Sequence, residues 1–258
     1  MRSNRAECTN LHSKATMLKL RIVRENPSWV LIDKPAGFHT HAPEDKNLRI
    51  SQRWNALSIL EKQLGVPLYP MHRLDRATSG LLLYSKKREL NGAFQRQFAE
   101  RTVRKVYFAL VRGTFIGDVE LDQALRSESG EAQESITKAN SLYTFSLPIA
   151  HPRGGTRTFT FLRAEPLTGR FHQIRRHLAG AGFPLIGDSR HGDRKLNREF
   201  TALLGCAQLF LRCMTLEFQC PESGRRELNR ARWSKEWHRI FEAAGACPFT
   251  ASPSQGQP

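Results

Sequence analysis

Short apolar runs bounded by turn residues recur along this chain. In some segments the apolar residues are two apart or continuous, as in strands, and in others they are three or four apart, as in helices. The runs LRIV (20–23) and WVLID (29–33) flank the turn-forming residues Glu25–Ser28 and predict a β-hairpin. Other runs suit strands at 81–84, 106–111 and 156–164, and helices at 53–64, 90–100 and 169–178. Because 156–164 alternates apolar and polar residues, we expect a strand with one solvated face. Strands and helices mixed in this order predict an α+β fold.

The ends of the chain differ from its middle. Residues 1–16 are polar and without period, and residues 247–258 are rich in Pro, Ser and Gln. We therefore predict an N-terminal extension (1–16), one catalytic domain (17–246) and a disordered tail (247–258). No apolar run approaches the roughly 18 residues of a membrane span, and the first residues lack the apolar centre of a secretory signal. We expect a cytoplasmic protein that acts as a monomer without a membrane partner.

The charge balance is the most informative feature of the composition. The 258 residues include 40 Lys and Arg against 24 Asp and Glu, a formal charge of +16. Such an excess favours a polyanionic partner, since phosphate neutralisation releases counterions. Nucleic acid is the leading class, ahead of an anionic membrane surface, because no long basic amphipathic stretch is present. Residues 117–137, with six acids and one base, should face away from nucleic acid.

Metal and nucleotide-cofactor chemistry find little support in the sequence. The five cysteines form no C-x-x-C pair, and we expect them to be reduced. His39 and His41 would share one side of a strand, but no third ligand follows at a recognisable spacing. No G-x-x-x-x-G-K-[ST] or G-x-G-x-x-G motif occurs.

The densest group of chemically active residues is the run MHRLDRATSG (71–80). Asp75 lies between Arg73 and Arg76, next to residues that favour turns. Nearby cations favour the ionised carboxylate, which suits a nucleophile or general base. The alternative is a purely structural Arg-Asp-Arg salt bridge.

A second group, TGRFHQIRRHL (168–178), places Arg175 at the edge of an apolar helix face formed with Phe171, Ile174 and Leu178. Arg170, Gln173, Arg176 and His177 would point elsewhere. A partly buried arginine requires a carboxylate partner, and Asp75 is the candidate. The alternative is a solvated basic helix.

A third group is the strand-like run RKVYFALV (104–111). Tyr107 would lie on the face opposite Phe108, where it could stack on a base or simply pack in the core. Earlier in the chain, Lys34 begins the turn Lys34–Gly37 and is either solvated or in contact with phosphate.

Taken together, three motifs resemble the signature motifs of the RluA-type pseudouridine synthases. They are HRLDRATSG (72–80), KVYFALVRG (105–113) and TGRFHQIRRHL (168–178), and DKPAG (33–37) is also similar. The resemblance spans about residues 18–220. It implies the pseudouridine synthase fold, a mixed and largely antiparallel sheet flanked by helices and loops, with the active-site cleft across the sheet.

A finer similarity lies in GDSRHGDRKLNR (187–198), which resembles the bacterial tRNA pseudouridine synthase C subgroup, acting on uridine 65 of tRNA. The implied function is the isomerisation of that uridine to pseudouridine. Three alternatives stay open at this point: the same reaction on 23S ribosomal RNA, an RNA-binding protein without catalysis, and, more distantly, a DNA-binding protein.

The resemblance assigns a role to each matching residue. Asp75 is the catalytic aspartate, Arg175 pairs with it, Tyr107 packs on the target base, and Arg73 fills the space left by the extruded base. The family reaction breaks the N1–C1′ bond, turns the uracil and rejoins it through C5, without metal or cofactor.

One position departs from the family pattern. The family usually has Leu-His-Ala where this chain has Leu211-Arg212-Cys213. We expect either Leu209 or Leu211 to form the apolar wall beneath the active site, and we assign Leu209 to the substrate-binding residues. The departure places local packing and substrate fit in question.

Overall fold

The computed structural model describes residues 18–41, 54–152 and 154–245. Strands and helices are mixed along these residues, as the sequence predicts. The strands are β1 (Arg21–Glu25), β2 (Trp29–Lys34), β3 (Tyr69–Pro70), β4 (Ser79–Ser85), β5 (Arg104–Arg112), β6 (Asp118–Leu121), β7 (Leu125–Arg126), β8 (Ala132–Gln133), β9 (Thr137–Ala150), β10 (Thr156–Pro166), β11 (Leu211–Gln219) and β12 (Arg226–Arg230). The helices are α1 (Ala56–Leu64), α2 (Asn91–Ala99), α3 (Gln173–Gly180), α4 (Arg194–Leu204) and α5 (Lys235–Ala243).

Ten of the described strands form one sheet. Its order is β1-β2-β4-β11-β5-β10-β9-β6, with β3 paired to β4 and β12 paired to β11. β4 and β11 run parallel where Ser79 and Gly80 face Arg212 and Cys213. The other described neighbours are antiparallel. The predicted α+β class with a mixed, largely antiparallel sheet is confirmed.

The two faces of the sheet carry different apolar cores. Along β5, Tyr107 and Val111 belong to one core and Leu110 to the other, as the period of two requires. The first core includes buried residues of α1, α2 and α3, and the second includes those of α4 and α5. The second core is rich in aromatic rings, such as Phe159 and Phe200, whose centroids lie 5.6 Å apart. The helices of the first face therefore stand on the same side as Tyr107.

Most local elements form where the sequence predicts them, with shifted ends. β1 and β2 make the expected antiparallel hairpin, and β4, α2 and β5 cover their predicted runs. Helix α1 begins at Ala56 rather than at residue 53. The side chain of Asn55 accepts a hydrogen bond from the Ser58 amide, and Gly65 ends the helix at φ +71°. Side-chain capping thus decides a boundary that apolar spacing leaves open.

The predicted solvated face of 156–164 is wrong at its centre. Residues 159–162 are all buried, because β10 lies between β5 and β9 and is covered on both faces. The polar Thr160 is satisfied there by the backbone. Its Oγ1 accepts the Phe115 amide at 3.0 Å and donates to the Gly113 carbonyl at 2.7 Å. Period-two alternation therefore marks the strand correctly without fixing its exposure.

No helix in residues 18–41, 54–152 and 154–245 is long and apolar enough to cross a membrane. The predicted extension (1–16), the tail (247–258) and both limits of the predicted domain at 17 and 246 lie outside the described residues. The three-part division of the chain stays a prediction.

Gly80 is the position where the sheet demands the absence of a side chain. It has φ +112°, and a Cβ added there would lie 2.2 Å from the Cys213 carbonyl oxygen. We expect Gly80→Ala to lower the free energy of unfolding by about 3 kcal/mol or more, because the strain and the clash between β4 and β11 add together. Urea unfolding followed by circular dichroism measures this loss.

Gly92 provides the matched control for Gly80. It lies in α2, and a Cβ there would meet nothing within 4 Å. We expect Gly92→Ala to be neutral or to stabilise by up to about 1 kcal/mol. Equal effects of the two substitutions would contradict the close approach of β4 and β11.

Candidate active site

A cavity of about 820 Å³ opens on the face of the sheet that carries Tyr107. Its walls come from residues of the loop 71–78, the turn between α2 and β5 (98–105), Tyr107, the segment 165–175 and Leu211. All three motifs that the sequence singles out therefore border one space. This volume lies in the range of ordinary ligand pockets.

Two buried polar side chains hold the loop that carries Asp75. The Thr40 hydroxyl bonds both the amide and the carbonyl of Leu74, each at 3.1 Å. The Gly37 amide donates to the Arg76 carbonyl at 2.8 Å. The loop is thus fixed on both sides of Asp75.

Lys34 is the second of these side chains, and neither role expected for it is correct. Its side chain is fully buried, and its Nζ donates to the carbonyls of Pro35, Phe38 and Arg76 at 3.0, 2.8 and 3.3 Å. Burial lowers the pKa of Lys34 from 10.5 to about 7, although the charges of Asp75 and then Asp33 raise it. Lys34 is therefore a structural clamp rather than a solvated or phosphate-binding residue.

The predicted pair of Asp75 and Arg175 forms. Arg175 Nη1 donates to Asp75 Oδ2 at 3.1 Å, with side-chain exposures of 6% and 20%. Arg175 is buried while Asp75 stays open to the cavity. The pair orients the Asp75 carboxylate at the cavity wall.

Arg175 also binds a second carboxylate, which the sequence did not predict. Asp188 is 1% exposed and accepts two bonds from Arg175, Nε to Oδ2 at 2.8 Å and Nη2 to Oδ1 at 2.9 Å. Its Oδ1 also accepts the amides of Arg190 and His191 at 2.9 Å. Burial raises the pKa of Asp188, but the bonds from Arg175 and these amides outweigh it and lower the pKa from 3.8 to about 2. The Gly187-Asp188 dipeptide was visible in the sequence, but nothing local connected it to Arg175.

The helix of the third motif, TGRFHQIRRHL (168–178), is shorter than predicted, and more of its side chains are buried. α3 begins at Gln173, and His172 precedes it with a positive φ of 51°. Gln173 and His177 are buried rather than solvated, and both bond Thr137, at 3.0 Å in each case. The solvated-helix alternative is excluded because β9 covers this side of α3.

Tyr107 lies at the floor of the cavity, 8% exposed. Burial raises its pKa well above 10, so the phenol stays neutral. Leu211 lines the cavity beside it. Leu209, the other leucine considered for this wall, is packed in the core and does not line the cavity.

The two residues that depart from the family pattern, Arg212 and Cys213, lie outside the cavity lining. Arg212 is 3% exposed and donates from Nη2 to Asp33 Oδ2 at 2.6 Å and to the Arg232 carbonyl at 2.7 Å. Neither Arg212 nor Cys213 lines the cavity. Burial raises the pKa of the Cys213 thiol to about 12, which keeps it uncharged beneath Tyr107.

Cationic side chains surround the cavity opening. Arg73 is exposed there, and Arg101, Arg104 and Arg170 also border the space. Part of the acidic segment 117–137 reaches this rim, contrary to expectation: Glu134 pairs with Arg101 at 3.5 Å, and its carbonyl accepts Arg170 Nε at 3.0 Å. The rim nevertheless keeps an excess of positive charge, as a phosphate-bearing ligand requires.

Across the described ranges, no group of three or more His, Cys, Asp or Glu side chains is placed to hold a metal ion.

The pairing of Asp188 with Arg175 predicts a defined pH dependence of stability. Because the folded pKa of about 2 lies below the unfolded value of 3.8, the ionised Asp188 stabilises the fold by about 2 kcal/mol above about pH 4, and this is lost as the pH falls through about 2. We expect Asp188→Asn to be destabilised by about 3 kcal/mol at neutral pH and to decline less between pH 4 and 2. Urea unfolding at stepped pH measures both effects.

Asp118, an exposed residue of the edge strand β6, gives the control. Asp118→Asn should leave the stability curve within about 0.5 kcal/mol of the wild type. An Asp188→Asn curve parallel to that of the wild type would contradict the role given to the buried pair.

Both the sequence and the fold of this chain match known proteins. The chain matches the family model described as RNA pseudouridylate synthase over residues 28–180. A protein of Pectobacterium carotovorum subsp. carotovorum named tRNA pseudouridine synthase C is 30% identical over 246 residues, 91% of this chain and 65% of that protein. The Vibrio vulnificus protein of the same name is 33% identical over 235 residues, 86% of this chain and 94% of that protein. The chain thus spans less than two thirds of the first relative and most of the second.

Two solved human structures share the fold. RNA Pseudouridylate Synthase Domain Containing 1 aligns with a TM-score of 0.64 and 20% identity, covering 89% of this chain and 96% of that one. Domain Containing 4 aligns with a TM-score of 0.66 and 23% identity, covering 87% and 93%. The family model spans the loop of Asp75, the strand of Tyr107 and the helix of Arg175, which border one cavity. The chain therefore belongs to the RNA pseudouridylate synthase family and is an RNA isomerase.

Proposed function

We propose that this enzyme converts uridine 65 of tRNA to pseudouridine, with Asp75 as its catalytic carboxylate. The observation that carries the proposal is the position of Asp75: it is open to the cavity on one side and held by the buried guanidinium of Arg175 on the other. A carboxylate placed in this way is oriented without losing access to a substrate. A purely structural salt bridge would not need that access.

The net reaction defines what the cavity must do. The N1–C1′ bond of uridine breaks, the freed uracil turns, and a C5–C1′ bond forms. The C5 proton is released and N1 gains a proton, so atoms and charge balance without an oxidant or reductant. Asp75 would act at the ribose or the uracil while the bond to N1 breaks.

Tyr107 and Arg73 supply the contacts that this rearrangement needs. The target base must leave the RNA stack, which costs a few kcal/mol. Tyr107 at the cavity floor offers an apolar face for the extruded base. Burial raises the pKa of its phenol, so the side chain stays uncharged. Arg73, which is exposed at the cavity rim, would enter the vacated stack.

The proposed substrate rests on the relatives and on the rim. The similar bacterial proteins are named tRNA pseudouridine synthase C. The rim arginines and the net charge of +16 suit a folded polyanion.

Release of tritium from uracil C5 tests the chemistry directly, because the new C5–C1′ bond expels that label. We expect release from unmodified tRNA transcripts with the wild type and none with Asp75→Asn, whose amide is neither charged nor nucleophilic. Mapping the modified nucleotide should then identify position 65. Asp118→Asn, at an exposed residue that does not line the cavity, should keep wild-type activity.

The outcomes separate the alternatives. Release from 23S ribosomal RNA but not from tRNA would keep Asp75 and overturn the substrate. Binding without release on both RNAs would indicate an RNA-binding protein. Loss of RNA binding together with activity in Asp75→Asn would show that the carboxylate maintains the architecture instead.

Tyr107 gives a second prediction. Tyr107→Phe should retain most activity, since the ring stays in place, whereas Tyr107→Leu should lose about tenfold or more, the effect of losing one base–ring stack. Single-turnover tritium release measures both rates. Equal loss in the two variants would mean that the hydroxyl, rather than the ring, is essential.

A further inference from the structure

A histidine lies against the second side of Asp75 in an unusual backbone conformation. His172 has a positive φ of 51°, one of two non-glycine residues with positive φ in the described part of the chain. Such a conformation is strained for most residues and persists where the surroundings hold it. His172 precedes α3 without capping it. Its side chain, 10% exposed, instead lines the cavity, and its Nε2 lies 3.7 Å from Asp75 Oδ2.

A second histidine fixes the other nitrogen of that ring. His172 Nδ1 and His191 Nε2 are 2.9 Å apart, and the two rings meet edge to face, 86° apart in plane. The His191 amide is itself bound by Asp188 Oδ1 at 2.9 Å. The loop that clamps Arg175 through Asp188 thus also delivers His191 to His172.

Both imidazoles are neutral near pH 7. Burial lowers the pKa of His172 from 6.5 to about 4; the charge of Asp75 raises it, and those of Arg175, His191 and Arg190 lower it further. Burial also lowers the pKa of His191, against the charge of Asp188. The 2.9 Å contact is therefore a hydrogen bond between two neutral rings, with one proton between them.

Electrostatics decides which ring donates that proton. If His172 donated from Nδ1, its Nε2 lone pair would face the anionic Asp75 Oδ2. If His191 donates from Nε2, His172 carries its own proton on Nε2, which then points toward the carboxylate. The second arrangement satisfies both contacts and removes a repulsion between two acceptors.

We propose that His172 and His191 are positioning residues for Asp75: His191 fixes the tautomer of His172, and His172 presents its Nε2–H to Asp75 Oδ2. The proposal rests on the catalytic role proposed for Asp75. Oδ2 then receives Arg175 and His172 together, which leaves Oδ1 as the oxygen that acts on the substrate. The distance of 3.7 Å is too long for a hydrogen bond in this structure. The proposal therefore requires that the two atoms approach to hydrogen-bond distance when RNA fills the cavity.

Nitrogen NMR tests the tautomer independently of activity. In ¹⁵N-histidine protein at neutral pH we expect His172 to have a protonated Nε2 and an unprotonated Nδ1, assigned by the signals that disappear in His172→Gln. His191→Leu should mix the two tautomers of His172. A His172 protonated at Nδ1 alone, or doubly protonated, would overturn the proposal.

Kinetics tests the positioning role. Compared with the wild type, His191→Leu should lower kcat for tritium release about tenfold, the effect of one misplaced hydrogen bond, and leave KM unchanged. His191→Gln, whose amide can still donate to Nδ1, should recover most of that rate. A rise in KM alone, or equal loss in both variants, would contradict the role of His191.

His177 supplies the matched control. It is a buried histidine on α3 that bonds Thr137 and the Gln123 carbonyl and does not line the cavity. His177→Leu should lower the Tm without changing the His172 tautomer. If the tautomer changes in this variant too, the change seen in His191→Leu would come from general destabilisation of the fold and not from the loss of the bond between His191 and His172. If Asp75→Asn retains tritium release, the proposed function fails, while the NMR pattern still decides the tautomer.

Discussion

The guanidinium of Arg175 is the interaction on which the rest of the site depends. It joins three segments that are distant in the chain: the loop of Asp75, the first turn of α3, and the loop of Asp188. A buried arginine is tolerated only when its donors are satisfied, and here two carboxylates satisfy them. This arrangement holds the Asp75 carboxylate at the cavity wall in a fixed orientation. Two of the three nitrogens of Arg175 bind Asp188, so only Nη1 is left to bind Asp75.

Buried cations serve architecture elsewhere in this basic protein. Lys34 ties the turn after β2 to the loop of Asp75 through three carbonyls. Arg212 ties β11 to β2 through Asp33 and reaches the Arg232 carbonyl. In each case backbone oxygens or a carboxylate compensate the loss of water. The basic residues of this chain therefore include internal clamps as well as the arginines at the cavity rim.

The two residues that depart from the family pattern, Arg212 and Cys213, are adjacent on β11. Neighbouring residues of a strand point to opposite faces, so Arg212 and Cys213 enter different surroundings. Arg212 finds Asp33, and Cys213 fills the space beneath Tyr107 as a neutral thiol. Gly80 meets the backbone of Cys213 rather than its side chain, so the tight contact between β4 and β11 does not depend on the side chain at position 213.

The sequence by itself determined the α+β class, the hairpin and the position of most strands, because the periodicity of a strand or helix depends on adjacent residues. The grouping of Asp75, Tyr107 and Arg175 at one site was implied by the resemblance of three motifs to one family. The sequence also named Asp75 as the partner of Arg175 from the need of a buried cation for an anion. Only the tertiary structure decided that Asp188 shares that arginine, that Lys34 is buried, and that His172 and His191 stand beside Asp75. These contacts join residues that are not neighbours in the chain, such as Lys34 and Arg76, 42 residues apart, and burial depends on what covers a residue rather than on its neighbours in the chain.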